Sequence, residues 1–140
     1  MPKSFNSKSS GFSYDIREDG IIVYRLANLR RDTVDEFVEV SRNFDVVAYE
    51  AGRHSRCLLD ISKLSFPTPY AIKRLRENTE STPDGLKESW AVLAPTSRLY
   101  TFMMTNLKGL TKSKVQPVRL FQTEEEAFAW LEQRLEELGP

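Results

Sequence analysis

The sequence predicts an α/β fold: a mixed, mainly parallel five-stranded sheet, opened by an antiparallel hairpin, with about four helices mostly on one face. Three observations carry this reading. Two segments of strand-like alternation flank a Glu-Asp-Gly turn near the N-terminus. Short apolar strands then alternate with segments of 3.6-residue period, which implies parallel pairing. Arg56, Asp60 and Arg119 interrupt those strands, so one sheet face is partly open to water.

The elements follow in order. Phe12, Tyr14 and Ile16 alternate with polar neighbours, as do Ile22, Tyr24 and Leu26 after the turn Glu18-Asp19-Gly20. A three-residue loop pairs Ile16 with Ile22, Tyr14 with Tyr24 and Phe12 with Leu26. It gathers six apolar side chains on one face and gives Gly20 the left-handed position. Thr33 and Glu36 have capping-box spacing. Val34, Phe37, Val38, Ser41, Phe44, Val47 and Ala48 continue a helix over about 32–51, with Gly52 as its stop. Arg56 to Ile61 reads as a strand. Thr68 then caps a second helix whose first residue is Pro69, and the turn chemistry of residues 81–85 ends it. Trp90 to Ala94 is a strand stopped by Pro95. Thr96 or Ser97 caps a third helix that runs to Gly109, and Lys112, Ser113 and Lys114 form a solvated loop. Val118 to Phe121 is the last strand. Thr123 and Glu126 open a final helix with Ala127, Trp130, Leu131, Leu135 and Leu138 on its core face.

Composition sets limits. The chain has 140 residues, 40% of them hydrophobic, enough for one core. Residues 11–140 read as one domain behind a polar, Ser-rich stretch, 1–10, expected to be a disordered tail. Lys plus Arg equals Asp plus Glu at 20 each, so no cationic surplus favours nucleic acid or an anionic membrane. One cysteine, Cys57, excludes an intramolecular disulfide and any zinc site with two thiolates; one histidine, His54, excludes an all-histidine metal site. No metal or cofactor is expected. No apolar run nears the ~20 residues of a membrane helix, and the first ten residues lack a secretory centre. The expected location is cytoplasmic, consistent with the lone thiol.

Chemistry-bearing residues mostly have structural explanations. His54 has no local triad signature. Cys57 falls on the core face of a strand, where a thiol is inert. Glu124, Glu125 and Glu126 occupy the first turn of a helix, where carboxylates suit the dipole. No Gly-rich phosphate loop occurs. Basic residues are mostly interleaved with acids, the exception being Lys108, Lys112 and Lys114. The third helix carries Leu99, Tyr100, Phe102, Met103, Met104 and Leu107, more apolar residues than one stripe needs. Two readings stay open: burial on most sides, or a ligand or partner surface.

The element order β-β-α-β-α-β-α-β-α, over about residues 11–139, resembles the STAS domains of bacterial anti-sigma-factor antagonists, in particular the stand-alone branch related to the sporulation antagonist. Two stretches carry the resemblance: Leu59-Asp60-Ile61-Ser62-Lys63-Leu64-Ser65-Phe66, and Val118-Arg119-Leu120-Phe121 with Thr123-Glu124-Glu125-Glu126-Ala127-Phe128-Ala129-Trp130-Leu131. The resemblance implies partner switching through a phosphorylated serine at the start of the second helix. Aligned on Leu64-Ser65-Phe66, that position is Tyr70, in the run Thr68-Pro69-Tyr70-Ala71. The serine switch is therefore absent from its own position.

The expectation is a non-catalytic regulatory or binding module. Its surface would be the loop rim of Ser62, Ser65, Thr68, Tyr70, Thr96 and Ser97, because ligands gather at the carboxyl ends of parallel strands. Its partner would be a protein, an anti-sigma kinase-like one by the resemblance. The alternative is a carrier of a small apolar or lipid-like ligand, held against the third helix by Tyr100, Phe102, Met103 and Met104. A homodimer is a further possibility.

Overall fold

A computed structural model describes residues 3–64, 67–106 and 116–140. Six strands form one sheet in sequential order: β1 (Ser4–Asn6), β2 (Phe12–Ile16), β3 (Ile22–Leu26), β4 (Ser55–Asp60), β5 (Glu88–Leu93) and β6 (Val118–Phe121). The helices are α1 (Arg31–Glu50), α2 (Pro69–Ser81), α3 (Ser97–Asn106) and α4 (Glu124–Leu138). Pairing is antiparallel from β1 to β3 and parallel from β3 to β6. The α/β class and mixed sheet match expectation, but the described residues form six strands rather than five. Ser4–Asn6 lies in the stretch read as a tail. Its pairing with β2 rests on backbone bonds, on the Ser4 hydroxyl donating to Asp15 at 2.6 Å and on Phe5 stacking on Tyr14 at 5.7 Å; one apolar residue is too few to show a strand period.

The hairpin takes the register chosen from its apolar alternation: Ile16 opposite Ile22, Tyr14 opposite Tyr24 and Phe12 opposite Leu26. Gly20 sits at φ +88°, the left-handed conformation that the loop requires. All six apolar side chains pack into the larger core.

Strand alternation divides the protein into two cores. Ile22, Tyr24, Cys57, Leu59, Val92 and Leu120 face α1, α2 and α3, with Val34, Phe37, Ala71 and Met103 as helical partners. Ile21, Val23, Leu58, Ala91, Leu93 and Phe121 face the other way, against Ala127, Trp130 and Leu131 of α4. Among the described residues, three helices thus share one face and α4 alone covers the other. Where α4 does not reach, that face is polar: Arg25 meets Asp15 at 2.6 Å and Asp60 at 3.9 Å.

Helix ends show where sequence signals held. Gly52 ends α1 at φ +65°, with Arg53 N–H on the Ala48 carbonyl and Gly52 N–H on that of Tyr49, the two bonds of a Schellman stop. The Thr33–Glu36 capping box does not form. Arg30 is the N-cap and provides no side-chain cap. The Thr33 hydroxyl instead donates to Asn28 at 2.7 Å and accepts from Gly11 N–H at 3.0 Å. Glu36 is held by Ser7 and Ser10. Tertiary partners outcompeted the local cap because the hairpin end lies against this turn. Thr123 does cap α4, accepting from Glu126 N–H at 3.2 Å.

Candidate functional site

The expected rim is assembled only in part. β4 and β5 run parallel, with Asp60 opposite Leu93, so the turns that follow them leave the same end of the sheet. Ser62 lies in the first turn, its N–H bonded to Asp60 Oδ1 at 2.9 Å. Thr96 lies in the second, its carbonyl accepting the first bond of α3 from Tyr100 N–H at 2.8 Å. Ser97 is the first residue of α3. Ser65, Gly109 and the lysine stretch 108–114 fall outside the described residues.

Thr68 caps α2 as its type and position predict: its hydroxyl accepts from Ala71 N–H at 3.1 Å, and Pro69 follows. Replacing Thr68 by alanine is expected to cost about 1 kcal/mol of stability, read as a lower urea midpoint. Unchanged stability would show that the cap is not needed.

Tyr70 turns away from the β5 side of the rim. Its hydroxyl donates to Asp35 Oδ1 of α1, which also accepts from Arg74 Nε at 3.1 Å, and Arg31 lies over its ring at 4.7 Å. The Tyr70 hydrogen bond and then Arg74 hold the Asp35 carboxyl below its ordinary range. The same bond raises the Tyr70 phenol. This network joins α1 to α2.

The third helix divides its surplus. Met103 is fully buried in the core, Tyr100 packs against it, Phe102 is half-buried and Met104 is 51% exposed. Phe102 contributes to an open groove of about 640 Å³ whose other walls are Pro67, Pro69, Ile72, Lys73, Arg76, Glu77 and Glu80. Met103 lines two small apolar cavities of about 40 and 20 Å³ on the inner side. The four residues proposed for one apolar site therefore point to different surroundings.

The structure also brings together groups the sequence did not associate. His54 Nδ1 lies 2.9 Å from the Gly139 carbonyl, and Nε2 lies 2.8 Å from Ser89 Oγ. A carbonyl only accepts, so Nδ1 carries the hydrogen. Burial lowers the imidazole pKa, the main cause, opposed by the Gly139 bond and reinforced by Arg134, Arg56 and Lys87. The ring is therefore neutral near pH 7, and Ser89 donates to Nε2. Ser89 and His54 have the contacts of a nucleophile and its base, with a third group orienting the base. The serine is 0% exposed, however, and its oxygen also accepts from Arg134 Nε at 3.0 Å. With Lys87 on the Leu138 carbonyl at 2.9 Å, this cluster fastens the end of α4 to the sheet.

A second cluster lies beneath α1. Asp45 and Glu88 are both buried and interact directly, beside Tyr24, Cys57, Ser55 and Trp90. Burial first, and then the Glu88 carboxyl, push the Asp45 pKa up to about 10. Burial also raises Glu88, while Asp45, Trp90 and Ser55 favour its charged form. Burial likewise pushes the Cys57 thiol and Tyr24 phenol up, which keeps both protonated. The sequence signal for this pair was present. Asp45 falls on the core stripe with Val34, Val38, Ser41 and Ala48, and Glu88 alternates in phase with Trp90 and Val92.

Among the described residues, no cluster of three or more His, Cys, Asp or Glu side chains suits a metal ion. No described helix is long and apolar enough to cross a membrane. A scan against models of known protein families finds no match. No curated protein matches the chain either.

Proposed function

We propose that this chain is a non-catalytic regulatory module of the STAS type, one that binds a protein partner along the α2–α3 edge without a serine phospho-switch. The observation that carries the reading is the open groove between α2 and Phe102. Pro67, Pro69, Ile72 and Phe102 give it an apolar lining. Lys73 and Arg76 bring positive charge to it, and Glu77 and Glu80 negative charge. An amphipathic protein segment with charges of both signs fits such a surface better than a small ligand does.

Two further features support the reading. From β2 onward the element order is the β-β-α-β-α-β-α-β-α on which the anti-sigma-factor-antagonist resemblance rests, with β1 added before it. The aligned switch position, Tyr70, is already bonded to Asp35. A phosphate there would replace the hydroxyl's bond to Asp35 by repulsion from that carboxylate, with Arg31 and Arg74 standing beside it. The module would therefore bind constitutively, in the cytoplasm, to a kinase-like or other regulatory protein. The carrier reading has less support. The cavities at Met103 have room for about one water each, so an apolar ligand would have to displace α3.

The test is a photo-crosslinking residue placed at Phe102 in living cells, with the exposed Glu136 of α4 as control. A discrete heterologous adduct from Phe102 alone, lost when Ile72→Glu is added, is the expected result. Equal labelling from both positions would overturn the reading. An adduct between two copies would make the partner a second copy of this chain.

A further inference from the structure

A cavity of about 300 Å³ opens at the other end of the sheet, where the β2–β3 turn, the start of β4 and the last turns of α1 meet. Ile16, Ile22, Phe44, Val47 and Ala48 supply an apolar wall; Arg53, His54, Ser55 and Arg56 supply the polar one. We propose that this cavity binds a small amphipathic carboxylate, with its anionic head on Arg56 and Arg53 and its apolar body against Ile22, Phe44 and Val47.

Arg56 carries the argument. Its side chain is 7% exposed. Nη2 donates to the Asp19 carbonyl. Nη1 is buried and has no hydrogen-bond partner among the described residues. No carboxylate among those residues forms a salt bridge with this guanidinium. A buried cation with one arm of its fork unused is costly, and a carboxylate matches the geometry of that fork. The turn backbone at Gly20 lies next to the guanidinium: a Cβ added there would be in ordinary contact with Nη2, at 3.8 Å. Arg53 adds a second, exposed cation beside the cavity. His54 is wall and not ligand, because both of its ring nitrogens are engaged. Nη1 is out of contact with solvent, so binding requires the guanidinium to turn toward the entering anion. The volume suits a chain or ring of several carbons, and five apolar residues would be wasted on a bare inorganic ion.

Hexanoate is the probe, with hexanol and acetate as its neutral and tail-less counterparts. Titration followed by amide NMR is expected to shift Gly20, Val47 and Arg56 saturably with hexanoate, at an affinity about tenfold or more above that for either counterpart. Arg56→Met should weaken hexanoate by about tenfold or more. Val47 is half exposed, so Val47→Glu is expected to fold normally, and its carboxylate would repel the ligand. It keeps the test decisive should the Arg56 variant fail to fold. Equal affinity for hexanol and hexanoate would overturn the proposal. So would hexanoate binding that survives Val47→Glu, or the absence of any saturable shift.

Discussion

Asp45→Asn is expected to stabilise the protein above neutral pH and to remove most of the pH dependence of its stability there. In the folded chain burial and Glu88 raise the Asp45 pKa to about 10, against an ordinary value of 3.8. The folded state therefore holds a proton that the unfolded state releases between about pH 4 and pH 10. Stability must fall as pH rises through that window, by up to about 1.4 kcal/mol per pH unit. Asparagine keeps a donor toward Glu88 and cannot ionise. The expected gain at pH 8 is roughly 2–4 kcal/mol, since the strong coupling to Glu88 shares the effect between both groups. Urea unfolding at pH 5, 7 and 9 measures it. Parallel profiles for the two proteins would show that Asp45 is charged in the fold. His54 acts with the opposite sign: its folded pKa is lowered, so the stability it contributes is lost as pH falls below about 6.5. Together the two groups place the stability maximum on the acid side of neutrality.

The parts of this fold legible in the sequence are those where one physical rule acted without competition. Apolar alternation set the β2–β3 register because a one-residue slip would turn Phe12, Tyr14 and Tyr24 out of the core. Gly52 stopped α1 and Thr68 capped α2 because each rule is local. The misses occur where a longer-range contact prevailed. Thr33 left its expected cap for Asn28 and Gly11, which the hairpin brings to it. β1, Ser-Phe-Asn, is too short to display a period, and is held by pairing with β2 and by the Phe5 ring on Tyr14. The functional reading divided similarly. Tyr70 and Phe102 stand out by residue type, but no local pattern tells that one faces Asp35 of α1 and the other the groove on α2. In the sequence Arg56 is a polar interruption of a strand. Its unpartnered nitrogen is a property of how the turn at Asp19 folds over it.

Phe37→Ala is expected to be the most damaging single change, lowering stability by about 3–5 kcal/mol. The ring is 1% exposed and lies between sheet and helices: edge-on to Tyr24 at 5.2 Å, with Trp90 at 6.0 Å and Phe12 at 6.1 Å. It also lines both apolar cavities next to Met103. Deleting it joins those two voids through the space of the lost ring. The result is a larger cavity, apolar but for Asn78, Thr79 and Thr82 on one wall, that can accept an aromatic guest. Benzene should therefore raise the thermal midpoint of the variant and leave that of the wild type unchanged. A loss below about 1 kcal/mol would mean that α1 settles into the gap, and benzene would then have no effect. The outcome bears on function because α1 positions α2 through the Asp35 contacts with Tyr70 and Arg74. If α1 loosens, the α2–α3 groove loses its shape, and the Phe102 adduct should weaken in the Phe37 variant although residue 37 touches no partner. An adduct undiminished in a variant shown to be destabilised would mean that the partner surface does not depend on α1 packing.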